Sequence, residues 1–458
     1  MSQIDTLIAG GTVVTAASMF DAAVGIKNGT IVGVGSEEMF PNADQRIDAG
    51  GNLVLPGVVD PHVHLAGYNS IDSYETGTAA AAAGGVTSLI TFAWQGWDDG
   101  SWKDTETLGE AVERHQGWAS PVVDYGLHAV ITRETESVLE ELSTVAADGV
   151  SSFKMFTTDT IRLSNGFIGE VFQKLGEIGA VGMVHTEDYS VCEHRTDAIR
   201  SNPSGGSATK YPDSRPDHAE AMAAGAIARL AAAANAKYYG AHTTSEAAAA
   251  TIEAAQSDGS NIRAETCTHY TTLDASVYQR LGNRAIMAPP LRQPSDADAL
   301  FEYLRAGVLS VVSTDHVPLP TERKEGGPWW ESDFGINSLQ TSLPVFHDEA
   351  VHKRGFSYPT LVRLLCYNPA QTFGLPQKGR IEPGADADII VFDPAKHYTI
   401  AASQNHSNAD YSVYEGREVT GKVLKTFVRG ELVADNGDIV AEPGYGDFLA
   451  RNIPDWKK

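Results

Sequence analysis

Two histidines lie two positions apart in the stretch Asp60-Pro61-His62-Val63-His64, which follows an apolar run that predicts a strand. In an extended segment, side chains at positions i and i+2 point to the same side, so both imidazoles can bind one cation. Such a pair is weak evidence by itself, because a short polar pair after a strand is more often structural than metal-binding. Its meaning therefore depends on what the ends of the other predicted strands carry.

Four further segments place metal-binding side-chain types at the ends of predicted strands. They are Phe153-Lys154-Met155-Phe156, Val184-His185-Thr186-Glu187-Asp188, Ala241-His242-Thr243-Thr244 and Ser313-Thr314-Asp315-His316. In a parallel barrel the C-terminal ends of the strands converge on one mouth, where catalytic sites are built. Five elements would then direct four histidines, a lysine and an aspartate to one point, which favours a metal site over coincidence.

Lys154 needs a separate explanation, because an ammonium group with an ordinary pKa of about 10.4 has no lone pair for a cation. Reaction of its amine with carbon dioxide would give a carbamate, whose two oxygens can bridge two metal ions about 3.5 to 4 Å apart. The alternative is a lysine that extends from the barrel rim into solvent. Taken by itself, the residue favours that alternative.

The elements that would position these residues are eight strand–helix units between residues 53 and 375. Short apolar runs alternate there with longer helical stretches, which is the rhythm of parallel βα units. The predicted strands are 53–59, 87–92, 122–131, 152–156, 182–185, 237–242, 262–266 and 309–313, and the helical stretches include 105–116, 138–147, 167–178, 218–234 and 245–256. Eight such units close most naturally into a TIM (β/α)8 barrel, an α/β fold.

Both chain ends predict β structure instead. Apolar and polar residues alternate in 6–14 and 24–34, and Asn28-Gly29 supplies the positive φ angles of a hairpin turn, as Asn436-Gly437 does near the other end. Closure of the barrel would bring the two ends together as one composite β-sandwich side domain. The predicted limits are 1–52 and 376–458 for the two parts of the side domain and 53–375 for the metal-binding barrel. The segment 186–216 is too long for an ordinary loop, and we expect a lid or a subunit contact there.

The composition argues against two classes of partner. The formal charge of −25, from 59 acidic and 34 basic residues, repels phosphate backbones and anionic lipid headgroups, so we expect neither nucleic acid nor membrane as a partner. An acidic surface is also consistent with adaptation to high salt, although solubility explains it equally well. Three dispersed cysteines without CxxC spacing, and the lack of a leader-like N-terminal segment, favour a cytoplasmic protein.

The complete pattern resembles the cyclic amidohydrolases, specifically the dihydropyrimidinase and hydantoinase group of the amidohydrolase superfamily. The resemblance extends over nearly the whole chain and rests on more than the ligand positions. The other stretches that carry it are Tyr74-Glu75-Thr76-Gly77-Thr78, Asp124-Tyr125-Gly126-Leu127-His128, Ser214-Arg215-Pro216, Glu265-Thr266-Cys267-Thr268-His269-Tyr270, Pro289-Pro290-Leu291-Arg292, Asn368-Pro369-Ala370 and Gly384-Ala385-Asp386-Ala387-Asp388. The resemblance implies a homotetramer with two divalent metal ions per chain, zinc in the first place, with manganese, cobalt or iron as alternatives.

Roles for the individual residues follow from the same resemblance. It implies one metal on His62, His64 and Asp315, the other on His185 and His242, and a carbamate on Lys154 as the bridge. It further implies that a hydroxide held between the metals attacks the ring carbonyl and that Asp315 carries the proton to the leaving nitrogen. The product would be an N-carbamoyl amino acid. Because the family binds substrate there through backbone groups, Ala288 and Asn337 become candidates for substrate binding that tolerate a change of side chain, with ordinary loop residues as the alternative.

The sequence departs from the patterns of related enzymes at two places that bear on the substrate. We expect this substrate to be a small cyclic amide or ureide. Leu65-Ala66-Gly67-Tyr68-Asn69 follows the histidine pair where dihydroorotases usually place an arginine, so a neutral ring such as a hydantoin or dihydropyrimidine is favoured. Asp159 stands where the family typically has a substrate-contacting tyrosine, and an ionised carboxylate cannot donate a hydrogen bond. Either Tyr68, another donor or a metal replaces it, or the substrate differs.

Two other functions stay open at this point. The chain could be an allantoinase-like or other cyclic ureide hydrolase. From a different class, it could be a non-catalytic scaffold, as in relatives that keep the fold and have lost metal ligands. All six ligand positions are intact here, and a scaffold would be free to lose them. We therefore expect an enzyme, a hydrolase that acts on the C–N bonds of cyclic amides.

Overall fold

Eight parallel strands form a barrel at the centre of the computed structural model, which describes residues 3–98 and 100–456. The strands are Val58–Val63, Val86–Trp94, Asp124–Val130, Ser152–Phe156, Val181–His185, Lys237–Gly240, Ile262–Cys267 and Val311–Ser313. They run in sequence order around the barrel, and the N–H of His64 donates to the carbonyl of His316 at 2.9 Å to close it. The predicted TIM barrel is confirmed.

Helices surround the barrel, and several begin at a polar residue that caps them. The longer ones are Tyr74–Ala83, Leu108–Trp118, Glu136–Ala147, Asn165–Ile178, Tyr189–Arg200, Asp217–Ala233, Glu246–Ser257 and Pro294–Ala306. Shorter α-helices are Tyr211–Ser214, Thr268–Thr272, Val277–Leu281, Thr321–Lys324, Ser342–His347, Tyr358–Val362 and Asn368–Thr372. The hydroxyls of Ser164 and Ser245 accept N–H bonds from the first turn of their helices, a cap worth about 1 kcal/mol. The five helices predicted in sequence are confirmed with small shifts, and two helices occupy much of the segment 186–216.

The predicted strand 53–59 is two strands in different sheets. Leu53–Pro56 belongs to the side sheet, and the first barrel strand begins at Val58. A Cβ on Gly57 would lie 2.0 Å from the Thr87 hydroxyl oxygen, so glycine lets the chain pass between the sheets at this point. Consequently His62 lies within the barrel strand and not after it.

Both chain ends contribute to one mixed nine-stranded sheet beside the barrel. Its strands are Ile4–Val14, Met19–Lys27, Thr30–Gly35, Ala43–Asp48, Leu53–Pro56, Ile389–Thr399, Glu418–Val428, Glu431–Asp435 and Asp438–Ile439. Leu53–Pro56 joins the two ends, because it pairs parallel with Ile4–Val14 and antiparallel with Ile389–Thr399. The predicted turn is confirmed at Asn28 (φ 49°) and Gly29 (φ 74°). The composite side domain is therefore confirmed, whereas its sequence limits stay a prediction.

A buried ion cluster fastens the side sheet to the barrel. Lys378 Nζ lies 2.6 Å from Asp124 on the third barrel strand and 2.9 Å from Asp388 beside the side sheet. The last part of the chain then returns to the barrel, where the N–H of Leu449 donates to the carbonyl of Tyr125 at 2.7 Å. In the part of the chain that the structure describes, no helix is long and apolar enough to cross a membrane.

Candidate metal centre

All six predicted metal ligands line one cavity of about 570 Å³. They are His62, His64, Lys154, His185, His242 and Asp315. The side chains come from the ends of five different barrel strands, and these ends meet because all the strands run in the same direction. The structure therefore brings together residues that are up to 253 positions apart in sequence.

The shortest distances in this group join two histidines to Asp315. One carboxylate oxygen of Asp315 lies 3.0 Å from His62 Nε2 and 3.3 Å from His64 Nε2. Burial by itself would raise the pKa of Asp315, but His62 and His64 hold it well below its usual range. Ligand atoms of His62, His242 and Asp315 all lie within 4.8 Å of one another. Imidazole nitrogens and a carboxylate oxygen at this spacing fit a divalent cation such as zinc or manganese.

Glu265, on the seventh barrel strand, orients two of the candidate ligands. Its carboxylate pairs with His62 Nδ1 and accepts the backbone N–H of His242 at 3.1 Å, and its other oxygen accepts the Tyr239 hydroxyl at 2.8 Å. A carboxylate behind a ligating histidine fixes the tautomer and raises the basicity of the ligand nitrogen. Sequence reasoning missed this role. The available signal was an acidic residue within a predicted buried strand, where a charge needs a partner.

His185 lies next to this group, and the carboxylate of Glu187 contacts one of its ring nitrogens. Its ring centre is 4.5 Å from that of His242, and its Nε2 lies 2.8 Å from Glu187 Oε2. Burial would raise the pKa of Glu187, but mainly the guanidinium of Arg215 lowers it to about 2. Glu187 stands two residues after His185, the same i, i+2 spacing as the first histidine pair, and that spacing could have revealed it.

Lys154 is buried, so the alternative of a lysine extending into solvent is wrong. Only 1% of the residue is exposed, and its Nζ lies 5.2 Å from the ring centre of Phe92 and 5.1 Å from that of Phe156. Burial lowers the pKa of Lys154 to about 8. A larger fraction of its amine is then neutral at physiological pH, and the neutral amine is the form that can react with carbon dioxide. The position therefore fits the predicted carbamate.

Several residues that line the cavity have left-handed backbone conformations, among them two candidate ligands and Asp159. The φ angles are 34° at His242, 44° at Asp315 and 65° at Asp159. Such a conformation costs about 1–3 kcal/mol in a residue other than glycine, so it persists only where the surrounding structure enforces it. Strain of this kind is typical of functional sites, and here it directs two candidate ligands and Asp159 towards the cavity.

The predicted substrate-binding residues divide into two groups. Ala288 and Asp159 line the cavity, as does Tyr68, whose ring centre is 5.2 Å from that of Trp94. Asn337 is buried outside the cavity lining, and neither polar atom of its side chain has a hydrogen-bond partner among residues 3–98 and 100–456. The sequence by itself did not indicate which of these residues line the cavity.

A buried lysine holds two segments of the cavity wall. Lys324 Nζ donates to the carbonyls of Ile286 at 2.5 Å, Asp333 at 2.8 Å and Gly335 at 2.8 Å. Asp333 and Gly335 line the cavity themselves, and Ile286 comes two residues before Ala288. The three bonds therefore fix this part of the cavity wall.

Two other buried histidines, His316 and His128, support neighbouring backbone. His316 contacts Asp72 through Nε2 at 3.0 Å and accepts the N–H of Ser338 at Nδ1 at 3.1 Å. His128 contacts the carbonyl of Pro61 at 2.8 Å, within the segment that carries the first histidine pair. Both residues thus stabilise strands and loops that position the ligands.

Comparison with known proteins agrees with this geometry. The model of the amidohydrolase family matches residues 53–433. Among curated proteins, the D-hydantoinase of Ralstonia pickettii is 34% identical, over 98% of this chain and 99% of its own, and the allantoinase of Rubrobacter xylanophilus is 33% identical, over 98% of both chains. Among solved structures, the dihydropyrimidinase from Brevibacillus agri superposes with a TM-score of 0.93 at 31% identity, covering 98% of this chain and 99% of its own.

Proposed function

The chain belongs to the amidohydrolase family, in its hydantoinase and dihydropyrimidinase group, and we propose that it is a metal-dependent hydrolase that opens the ring of a cyclic amide or ureide. A neutral hydantoin or dihydropyrimidine is the substrate class, and an N-carbamoyl amino acid is the product. The observation that carries the proposal is the convergence of four histidines, an aspartate and a buried lysine in one cavity. A site retained in full is what a catalyst needs and what a scaffold would be free to lose.

The donor set is divided between two cations, with zinc the first choice. His62, His64 and Asp315 would hold one cation, and His185 and His242 would hold the other. A carbamate on Lys154 would bridge them. Two such cations supply an activated water and polarise the carbonyl of the substrate. Glu265 and Glu187, behind His62 and His185, keep the imidazoles in the orientation and tautomer that ligation requires.

Asp315 is the group that moves the proton. Its carboxylate is ionised, because the neighbouring histidines hold its pKa well below the usual range, and it lies at the cavity surface. It accepts the proton of the attacking water and delivers it to the ring nitrogen as the C–N bond breaks. Ala288, Asp159 and Asn337 complete the proposal as substrate-binding residues, with Ala288 and Asn337 acting through their backbone groups.

The test uses enzyme reconstituted with metal and bicarbonate. Ring-opening rates are measured with hydantoin, dihydrouracil, allantoin and dihydroorotate, and the neutral rings should react fastest. Lys154→Ala should abolish activity and lower the metal content, with partial rescue by short carboxylic acids that replace the carbamate. The control Lys174→Ala, at an exposed lysine of the helix Asn165–Ile178, should retain both properties. Loaded wild-type enzyme that opens none of these rings would refute the function.

Assembly and location complete the proposal. A homotetramer in the cytoplasm is the state that the family resemblance and the cysteine pattern support. Light scattering of the metal-loaded protein would measure a mass four times the 48.9 kDa of one chain. A monomeric mass at micromolar concentration would contradict this part of the proposal and leave the chemistry unaffected.

A further inference from the structure

Asp159 and Arg215 form an ion pair in the wall of the cavity that holds the candidate metal ligands. Oδ1 of Asp159 lies 2.5 Å from Nη2 of Arg215, and both residues line the cavity. The Asp159 side chain keeps 39% of its exposure, whereas that of Arg215 keeps 8%. The carboxylate of Asp159 is therefore the part of the pair that an incoming molecule reaches first.

Arg215 is shared between two carboxylates. Its Nη1 contacts Glu187, which in turn contacts the candidate ligand His185. One guanidinium between two carboxylates leaves this group of three side chains with a net charge of −1. Only two of the five N–H bonds of a guanidinium are used by these two contacts, so Arg215 retains donor capacity.

This arrangement discriminates between kinds of ring substituent. A carboxylate on the substituent would be repelled by the exposed carboxylate of Asp159. An apolar substituent would remove water from the ion pair without replacing the lost hydrogen bonds, which is unfavourable. An amide or ureido group offers N–H donors for Asp159 and a carbonyl acceptor for Arg215, so it matches both members of the pair.

Tyr68 adds a second polar contact on the same cavity. Burial and the charges of Asp159 and Asp333 raise the pKa of Tyr68, so its hydroxyl keeps its proton and can donate. Its ring and that of Trp94 lie against each other at the cavity wall. A flat polar group can therefore be bound by hydrogen bonds at its edge while its face contacts aromatic rings.

We propose that Asp159 and Arg215 form a polar subsite for the ring substituent, which selects cyclic ureides whose substituent ends in an amide or ureido group. The proposal rests on the ring-opening function and specifies its substrate. Asp159 would accept the substituent N–H, and Arg215 would donate to the substituent carbonyl. Asp159 and Arg215 are thus specificity-determining residues, separate from the residues that hold metal or move protons.

The experiment compares hydantoins whose substituents end in different groups. The hydantoin of glutamine presents a carboxamide, that of glutamate a carboxylate of the same shape, that of leucine an apolar group, that of ornithine an ammonium and that of citrulline a ureido group. With metal-loaded enzyme, kcat/KM for the glutamine and citrulline compounds should exceed that of the leucine compound by about 10-fold or more, and the glutamate compound should be slowest.

Variants at Asp159 connect this order to the ion pair. Asp159→Leu should lower the kcat/KM ratio of the glutamine to the leucine compound by about 10-fold, since it removes the acceptor. Asp159→Asn, which keeps the size of the side chain and removes its charge, should raise the relative rate with the glutamate compound. Glu170→Gln, an exposed acid on the helix Asn165–Ile178, should keep the wild-type ratios.

The outcomes separate the two proposals. If loaded wild-type enzyme opens none of these rings, the ring-opening function fails. If it opens them but prefers the leucine or the ornithine compound, or if folded Asp159 variants keep the wild-type ratios, only the subsite is overturned. Should Asp159→Leu not fold, the order among the wild-type rates and the Asp159→Asn variant still decide the question.

Discussion

Glu265→Gln tests whether a buried carboxylate behind the candidate centre determines its affinity for metal. The substitution keeps the size of the side chain and one acceptor oxygen, so contacts with His62 Nδ1 and the backbone N–H of His242 can persist. The substitution removes the negative charge of Glu265. This charge makes the His62 imidazole a better metal ligand in the wild-type protein. The fold should survive, because the side chain lies in the same buried position and the Tyr239 hydroxyl can accept from the new amide.

The expected loss follows from the position of Glu265 directly behind a ligand. Removing such a partner typically costs 10–100-fold in metal affinity, about 1.4–2.7 kcal/mol of binding free energy. We measure the zinc dissociation constant by competition with a chromophoric chelator, and the free energy of unfolding of the metal-free protein with urea. Glu265→Gln should weaken zinc binding within this range and still unfold cooperatively.

Asp124→Asn is the matched control, since Asp124 is also a buried barrel carboxylate but lies at the other end of its strand. It contacts Lys378 and Arg429 and belongs to the ion cluster with the side sheet. Its replacement should lower the free energy of unfolding by up to about 3 kcal/mol, because Lys378 keeps Asp388 as a partner, and should leave zinc affinity unchanged. A wild-type zinc dissociation constant in folded Glu265→Gln would refute the reasoning.

Three further outcomes are expected. Asp315→Asn should lower kcat by at least about 100-fold while the protein stays folded, because an amide cannot carry the proton, and steady-state rates of wild-type size would remove Asp315 from the reaction. Lys324→Met should lower the free energy of unfolding by about 3 kcal/mol or more, since it leaves three buried carbonyls without their donor, and urea denaturation against Lys174→Met measures this. Because the pKa of Lys154 is lowered to about 8, the rate at which zinc reactivates metal-free enzyme should depend on pH when dissolved carbon dioxide is held fixed. This rate should rise about tenfold per pH unit below pH 7 and become constant above pH 8 to 9, where the amine is neutral. A rate that still rises between pH 9 and 10 would indicate a lysine with an ordinary pKa.

The sequence by itself predicted the barrel and its six candidate ligands, although Lys154 only through the family resemblance. Both are local signals: an apolar run of strand length, a helical stretch after it, and a polar residue at the C-terminal end of the strand. The same holds for the turn at Asn28-Gly29, where two residues carry the required φ angles. Parallel strands in one barrel must end at one mouth, so their order along the chain sufficed to place His62 and Asp315 together.

Only the tertiary structure decided which side chains stand behind the ligands and which face the substrate cavity. The contact of His62 with Glu265 spans 203 residues and that of Asp159 with Arg215 spans 56, and each depends on the rotation of a side chain about its strand or loop. The left-handed backbone at Asp159, the burial of Lys154 and the position of Asn337 outside the cavity lining depend on packing in the same way. Apolar residues that recur with a period of two in a strand or 3.6 in a helix indicate which face of that element is buried. The side chain that contacts this face comes from a distant part of the chain, and the packing of the closed barrel determines which residue it is.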